Sequence, residues 1–142
     1  MKKTITTMLT VLALSTLTHA RVGETVAECN ARYGGTDDIG RKVYYKKSGY
    51  LLAVEFDTKG RCGEIVYSKP GADLSNSEIR AFIRANGSGW VEKEGTAKLD
   101  KWKSADKMAY FYGGILVVRS LVYEAAKDAE AEREKQEKLN AF

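Results

Sequence analysis

Histidine is nearly absent from this chain of 142 residues, and the single one, His19, falls in an N-terminal stretch that reads as a secretory signal peptide. Lys2 and Lys3 form its basic start, and Ile5 to Leu17 is apolar apart from Thr and Ser. Thr18-His19-Ala20 puts small residues at the third-last and last positions before a cut ahead of Arg21. A chain starting at Arg21 has no imidazole. Ser-His-Asp and Cys-His catalysis are then excluded, and the commonest zinc ligand is lost. Long apolar runs are lacking too. The signal stretch is too short and too hydroxyl-rich for a bilayer span of roughly 20 apolar residues, and no later segment approaches that length. Cys29 does not follow the cut, so a lipid anchor is not expected. The expectation is a soluble, monomeric protein of a periplasm or the exterior.

Runs of one charge are missing. The chain has 23 Lys and Arg against 19 Asp and Glu, a formal net charge of +4 that falls once Lys2 and Lys3 are removed. The signs are mixed along the chain, with no basic cluster of the kind that neutralises phosphates, so nucleic acid is not an expected partner. Cysteine is limited to Cys29 and Cys62. In an oxidising compartment such a pair is expected to form a disulfide, with two free buried thiols as the competing reading. It would tie a helix to a strand, in a structural role, because no Cys-x-x-Cys spacing lowers a thiol pKa. Proline occurs once, in Pro70-Gly71, where it divides the chain into halves 22–69 and 74–123.

What is present repeats. Thr25-Val26-Ala27-Glu28 and Ser75-Asn76-Ser77-Glu78 are both capping boxes, each with a hydroxyl at N-cap and a Glu at N3. Val22, Val26, Cys29 and Tyr33 recur at helical spacing before Gly34. Leu74, Ile79, Phe82 and Ile83 do so before Asn86-Gly87. Each short helix needs a sheet to lie on. After each, the period becomes two. Strands are predicted over Lys42–Lys47, Tyr50–Phe56 and Cys62–Ser68, then Trp90–Glu94, Ala97–Lys103, Lys107–Tyr112 and Ile115–Tyr123. The fold class is α+β: tandem α-β-β-β units forming one antiparallel sheet with both helices on one face. Residues 21–123 make this single domain. Residues 124–142, rich in Ala, Glu, Lys and Gln, form a charged C-terminal helix with a solvated surface and too few apolar positions for a coiled coil.

Val22-Gly23-Glu24-Thr25, Arg32-Tyr33-Gly34, the Tyr50–Phe56 strand and the turn into Cys62–Tyr67 carry a likeness of pattern. In this order of elements the chain resembles the β-lactamase-inhibitor-protein architecture and the single repeats of SmpA/OmlA-type envelope proteins. The resemblance implies a sheet that grips another protein, as an enzyme inhibitor or an envelope-assembly accessory.

The residues themselves offer little chemistry. Glu55 and Glu64, on strands expected to be neighbours, are a pair of carboxylates for glycoside hydrolysis, but alternation with apolar residues marks them as outer-face acids. The Gly34–Gly40 loop carries Asp37 and Asp38 without the ligand spacing of a calcium loop. No metal site and no cofactor are expected. Aromatic residues remain. Tyr33, Phe56 and Phe82 belong to the core. Tyr44, Trp90, Trp102, Tyr110 and Tyr112 are too many to bury behind two short helices. With Lys101 or Lys103 beside them they have the composition of a recognition surface on the open sheet face. The sequence therefore predicts a non-catalytic, exported protein-binding module for an unidentified envelope or secreted protein, with a small carboxylate hydrolase as the alternative.

Overall fold

Thr25 and Ser75 start the first two helices as their capping boxes predict. The computed structural model describes residues 21–35, 40–96 and 99–142. The expected signal peptide and residues 36–39 of the Gly34–Gly40 loop lie outside them. Helix α1 spans Val26–Tyr33 and α2 Asn76–Ala85, and in both the N3 glutamate bonds back to the N-cap backbone. Glu78 does more than cap. It accepts from the Ser75 N–H (2.7 Å), the Tyr50 hydroxyl (2.5 Å) and the Lys69 ammonium (3.0 Å). These bonds, the Ser75 backbone bond foremost, hold its pKa at about 2, against an ordinary 4.5. A depressed carboxylate contributes stability that is present above its unfolded pKa and lost as pH falls toward the folded one. Glu78→Gln is expected to flatten the acid limb of the stability curve between those two values, read by urea unfolding across pH.

Seven strands form one sheet: β1 (Lys42–Lys47), β2 (Tyr50–Phe56), β3 (Cys62–Ser68), β4 (Val91–Thr96), β5 (Leu99–Lys103), β6 (Lys107–Tyr112) and β7 (Ile115–Ser120). Their spatial order is β1-β2-β3-β7-β6-β5-β4, antiparallel throughout. The two hairpin systems meet where β3 pairs β7. Register then decides which residues share a face. Val43, Val54, Ile65, Val118, Ala109 and Trp102 form one transverse row, and Tyr45, Leu52, Tyr67, Leu116 and Phe111 form the next.

Both rows lie under α1 and α2. The Tyr45 hydroxyl donates to Asn30 of α1 (2.7 Å). Phe82 of α2 stacks on Tyr67 with ring centroids 4.3 Å apart. Cys29, Ile79, Phe82 and Ile83 are the buried residues of these helices. A register shift between Glu55 and Phe56 makes Gly63 a bulge and brings Cys62 onto this same face.

The opposite face is less open than the sequence suggests. The last strand ends at Ser120, and helix α3 runs from Leu121 to Asn140 rather than from residue 124. Ser120 caps it, its Oγ accepting from the Tyr123 N–H (3.0 Å). Leu121-Val122-Tyr123 looks like a strand by residue type, but the cap ends the strand first. α3 then lies across β3 and β7. Tyr123 is buried against Gly63, Lys127 pairs with Glu55 (3.2 Å), and Glu124 accepts from the Tyr110 hydroxyl (2.5 Å). Beyond the first turns α3 is exposed on all sides. Among the described residues no helix is long and apolar enough to cross a membrane.

Candidate binding surface

Alternation along β5 separates the residues that the sequence reading grouped together. Trp102 pairs with Ala109 and faces the helices, where it packs against the core, half-buried. The small Ala109 beside it leaves room for the indole. Lys101 and Lys103, one position away on either side, face the other way. Trp90 also packs against the core, with its Nε1 buried and unpartnered among the described residues. Neither tryptophan belongs to the surface predicted for it.

Tyr44, Tyr110 and Tyr112 do lie on the face away from α1 and α2. Tyr44 is half exposed on edge strand β1, with the Lys42 ammonium 5.9 Å from its ring. It shares a row with Tyr110 but stands four strand spacings away, roughly 19 Å. It is therefore no part of one patch with the others. Tyr110 and Tyr112 come together with Leu99, Val117 and Arg119 around a shallow depression of ≈ 190 Å³. Tyr112 is 50 % exposed. Tyr110 is fixed from both sides, by Glu124 at its hydroxyl and by the Lys101 ammonium 5.4 Å from its ring centroid. Burial, followed by the bond to Glu124, pushes its phenol up to about 12. Leu99, Val117 and Arg119 were not singled out from sequence. Their positions follow once β7 is known to sit beside β6, with the three strands β5, β6 and β7 in register.

Each carboxylate of the pair is held in an ion pair. Glu55 and Glu64 are direct cross-strand partners, as adjacency of β2 and β3 requires. Each carries its own cation, Lys127 on Glu55 and Arg119 on Glu64. Burial raises the Glu55 pKa, but the Tyr123 hydroxyl and Lys127 beside it outweigh this, and the net shift is downward. A glycoside hydrolase needs one carboxyl held protonated near neutrality, and Glu55, held ionised, does not supply it.

The cysteines correct a second expectation. Cys29 and Cys62 are both buried and both free, not bridged. The Cys62 Sγ donates instead to the Glu64 carbonyl (3.6 Å). Burial pushes the Cys29 thiol up to about 12 and the Cys62 thiol well above its ordinary value. Thiols so shielded pack as small apolar groups rather than acting as nucleophiles. Among the described residues no three His, Cys, Asp or Glu side chains converge as a metal site would need.

No protein-family model and no curated protein matches this chain. Among solved structures it is similar to a DUF4309 family protein (YjgB) from Bacillus subtilis, with a TM-score of 0.42 and 11 % identity over 68 % of this chain and 78 % of that one.

Proposed function

We propose that this chain is an exported, non-catalytic module that binds a protein partner through the face of β4–β7 beside α3, as an enzyme inhibitor or an envelope-assembly accessory. The observation that carries this reading is the depression ringed by Leu99, Tyr110, Tyr112, Val117 and Arg119. Tyrosine and arginine around an apolar floor are the residue types that anchor interfaces. The depression is shallow, which suits a side chain of a macromolecule better than a small substrate enclosed on most sides. The absence of histidine after residue 20, the ion-paired Glu55 and Glu64 and the shielded thiols all favour binding over catalysis.

The reading of the chain as two α-β-β-β copies has support of its own. Each half opens with a capping box, and the last strand of each, β3 and β7, pairs with the other at the centre of the sheet. Export rests on the signal-type segment ending at Ala20. A cut there also suits the fold. The Arg21 nitrogen lies 3.3 Å from a Glu24 carboxylate oxygen, so the freed α-ammonium would meet a carboxylate.

One experiment addresses binding and export together. The full chain, with a photo-reactive phenylalanine derivative at position 112, is expressed in a Gram-negative host, irradiated and recovered from the periplasm. The expected result is an intact mass beginning at Arg21 and a discrete protein adduct at position 112. Tyr112→Ala is expected to reduce partner affinity about tenfold or more with Tm changed by less than about 2 °C, because an exposed side chain contributes little to folding. Retention of residues 1–20 would overturn export. Unchanged affinity in Tyr112→Ala would overturn this surface.

A further inference from the structure

Charge on the outer half of the sheet is sorted by face. On β4 and β5 the acids Glu92 and Asp100 share the side of Trp102 and Phe111, while Lys93, Lys101 and Lys103 share the other. Arg119 joins them from β7, in the same row as Lys103. The described strand residues on this face of β4–β7 thus supply four cations and no carboxylate; Glu124 of α3 reaches the same face but is taken up by the Tyr110 hydroxyl. Arg119 is balanced by Glu64 on β3, whereas Lys93, Lys101 and Lys103 have no ion-pair partner among the described residues.

The register adds a second observation. Lys93 and Lys101 are direct cross-strand partners. Like charges directly opposite in a sheet oppose folding, so this pair works against the protein when it stands alone. An anion laid across it would relieve the repulsion. Lys101 reaches the depression by its position over the Tyr110 ring, and Lys93 stands opposite it, one strand further out.

Resting on the binding-module reading, we infer that the partner presents an acidic segment, and that one apolar side chain of that segment seats between Leu99, Tyr110, Tyr112 and Val117 while flanking carboxylates meet Lys93, Lys101 and Arg119. The apolar floor favours a polypeptide over a phosphate-rich surface, which has nothing to place there. The volume, ≈ 190 Å³, is of the size of one large side chain.

The test uses isotope-labelled protein of residues 21–142 and a blocked pentapeptide with two glutamates on either side of a leucine. Amide shifts are expected to saturate and to cluster at Leu99, Lys101, Tyr110 and Tyr112. Replacing the glutamates by lysines should abolish them, and replacing the leucine by alanine should weaken binding several-fold. Lys93→Glu should weaken peptide binding about tenfold while leaving Tm equal or higher, since it replaces a like-charge pair by an opposite one. Loss of binding with a stable fold cannot then be assigned to unfolding. Scattered or absent shifts, or equal binding of the lysine peptide, would overturn the inference. So would binding to phosphatidylglycerol vesicles with none to the peptide. If the adduct at position 112 still forms in Lys93→Glu with unchanged yield, the binding face stands and the acidic partner fails.

Discussion

Asn86→Ala should lower stability by about 2–4 kcal/mol and Tm by on the order of 10 °C, the largest loss expected from any polar side chain here. Asn86 is only 2 % exposed, and its amide joins three parts of the chain. Oδ1 accepts from the Val22 N–H (3.0 Å), at the start of the described chain. Nδ2 donates to the Tyr67 hydroxyl on β3 (2.9 Å) and to the Phe82 carbonyl in α2 (2.9 Å). Alanine removes all three bonds and strands a buried N–H on Val22. Each buried polar group left unpaired costs roughly 1–3 kcal/mol, whereas a lost exposed bond costs little. Thermal and urea unfolding decide the matter. A shift of under 2 °C would show that water replaces the amide at no cost and that the network holds nothing together. The sequence marks Asn86 only as the end of a helix. Its role as a tie depends on β3 and residue 22 meeting there, which local pattern does not encode.

Local order was legible where a local physical signal exists. The capping boxes at Thr25 and Ser75 place both helix starts, because the hydroxyl and the Glu satisfy backbone donors whatever lies around them. Lys42–Lys47, Cys62–Ser68 and Lys107–Tyr112 form strands with those bounds, each set off by turns. The pairing of β3 with β7 and the docking of α3 are non-local. No residue in Cys62–Ser68 says that it will lie beside Ile115–Ser120 rather than at an edge.

The surface was half legible, and one of its errors was avoidable. A period of two forbids Trp102 from sharing a face with Lys101 and Lys103, so that grouping contradicts the strand pattern it rests on. Tyr110 and Tyr112, two positions apart on β6, share the face away from α1 and α2, as a period of two requires. Leu99 carries no local signal of its own, because it joins Tyr110 and Tyr112 only once β5 pairs with β6. Arg119 was passed over because its partner Glu64 is 55 positions away in sequence. The bridge expected between Cys29 and Cys62 failed for a different reason. Compartment chemistry permits a disulfide, but it does not dictate the side-chain directions that bring two sulfurs together.

Gly63→Ala is expected to cost about 2–3 kcal/mol and to loosen α3 from the sheet. A Cβ on Gly63 would collide with the Tyr123 ring at Cδ2, Cγ and Cβ, so the ring cannot stay where it is. The obstacle is not the far end of a flexible chain. Tyr123 sits in the first turn of α3, with its own N–H held by the Ser120 cap, and it is the buried residue of that helix. Moving it moves the helix. The contacts from Lys127 to Glu55 and from Glu124 to Tyr110 then break as a group, since the same two turns of α3 carry all of them. Amide exchange should accelerate across Leu121–Lys127 more than across β1 and β2, and a protease should cut earlier within residues 121–127. Tyr123→Ala in the same chain should restore part of the loss, because it removes the group that the new methyl strikes. The coupling between the two substitutions is then favourable in sign and measurable as a double-mutant cycle. Tyr110 would also lose the carboxylate that fixes its hydroxyl. Affinity at the depression should therefore fall in Gly63→Ala although position 63 lies on a different strand, with β7 between it and Tyr110. If stability is unchanged and α3 keeps its protection, the sheet yields at the bulge instead, and the helix is not what decides which half of this face stays open.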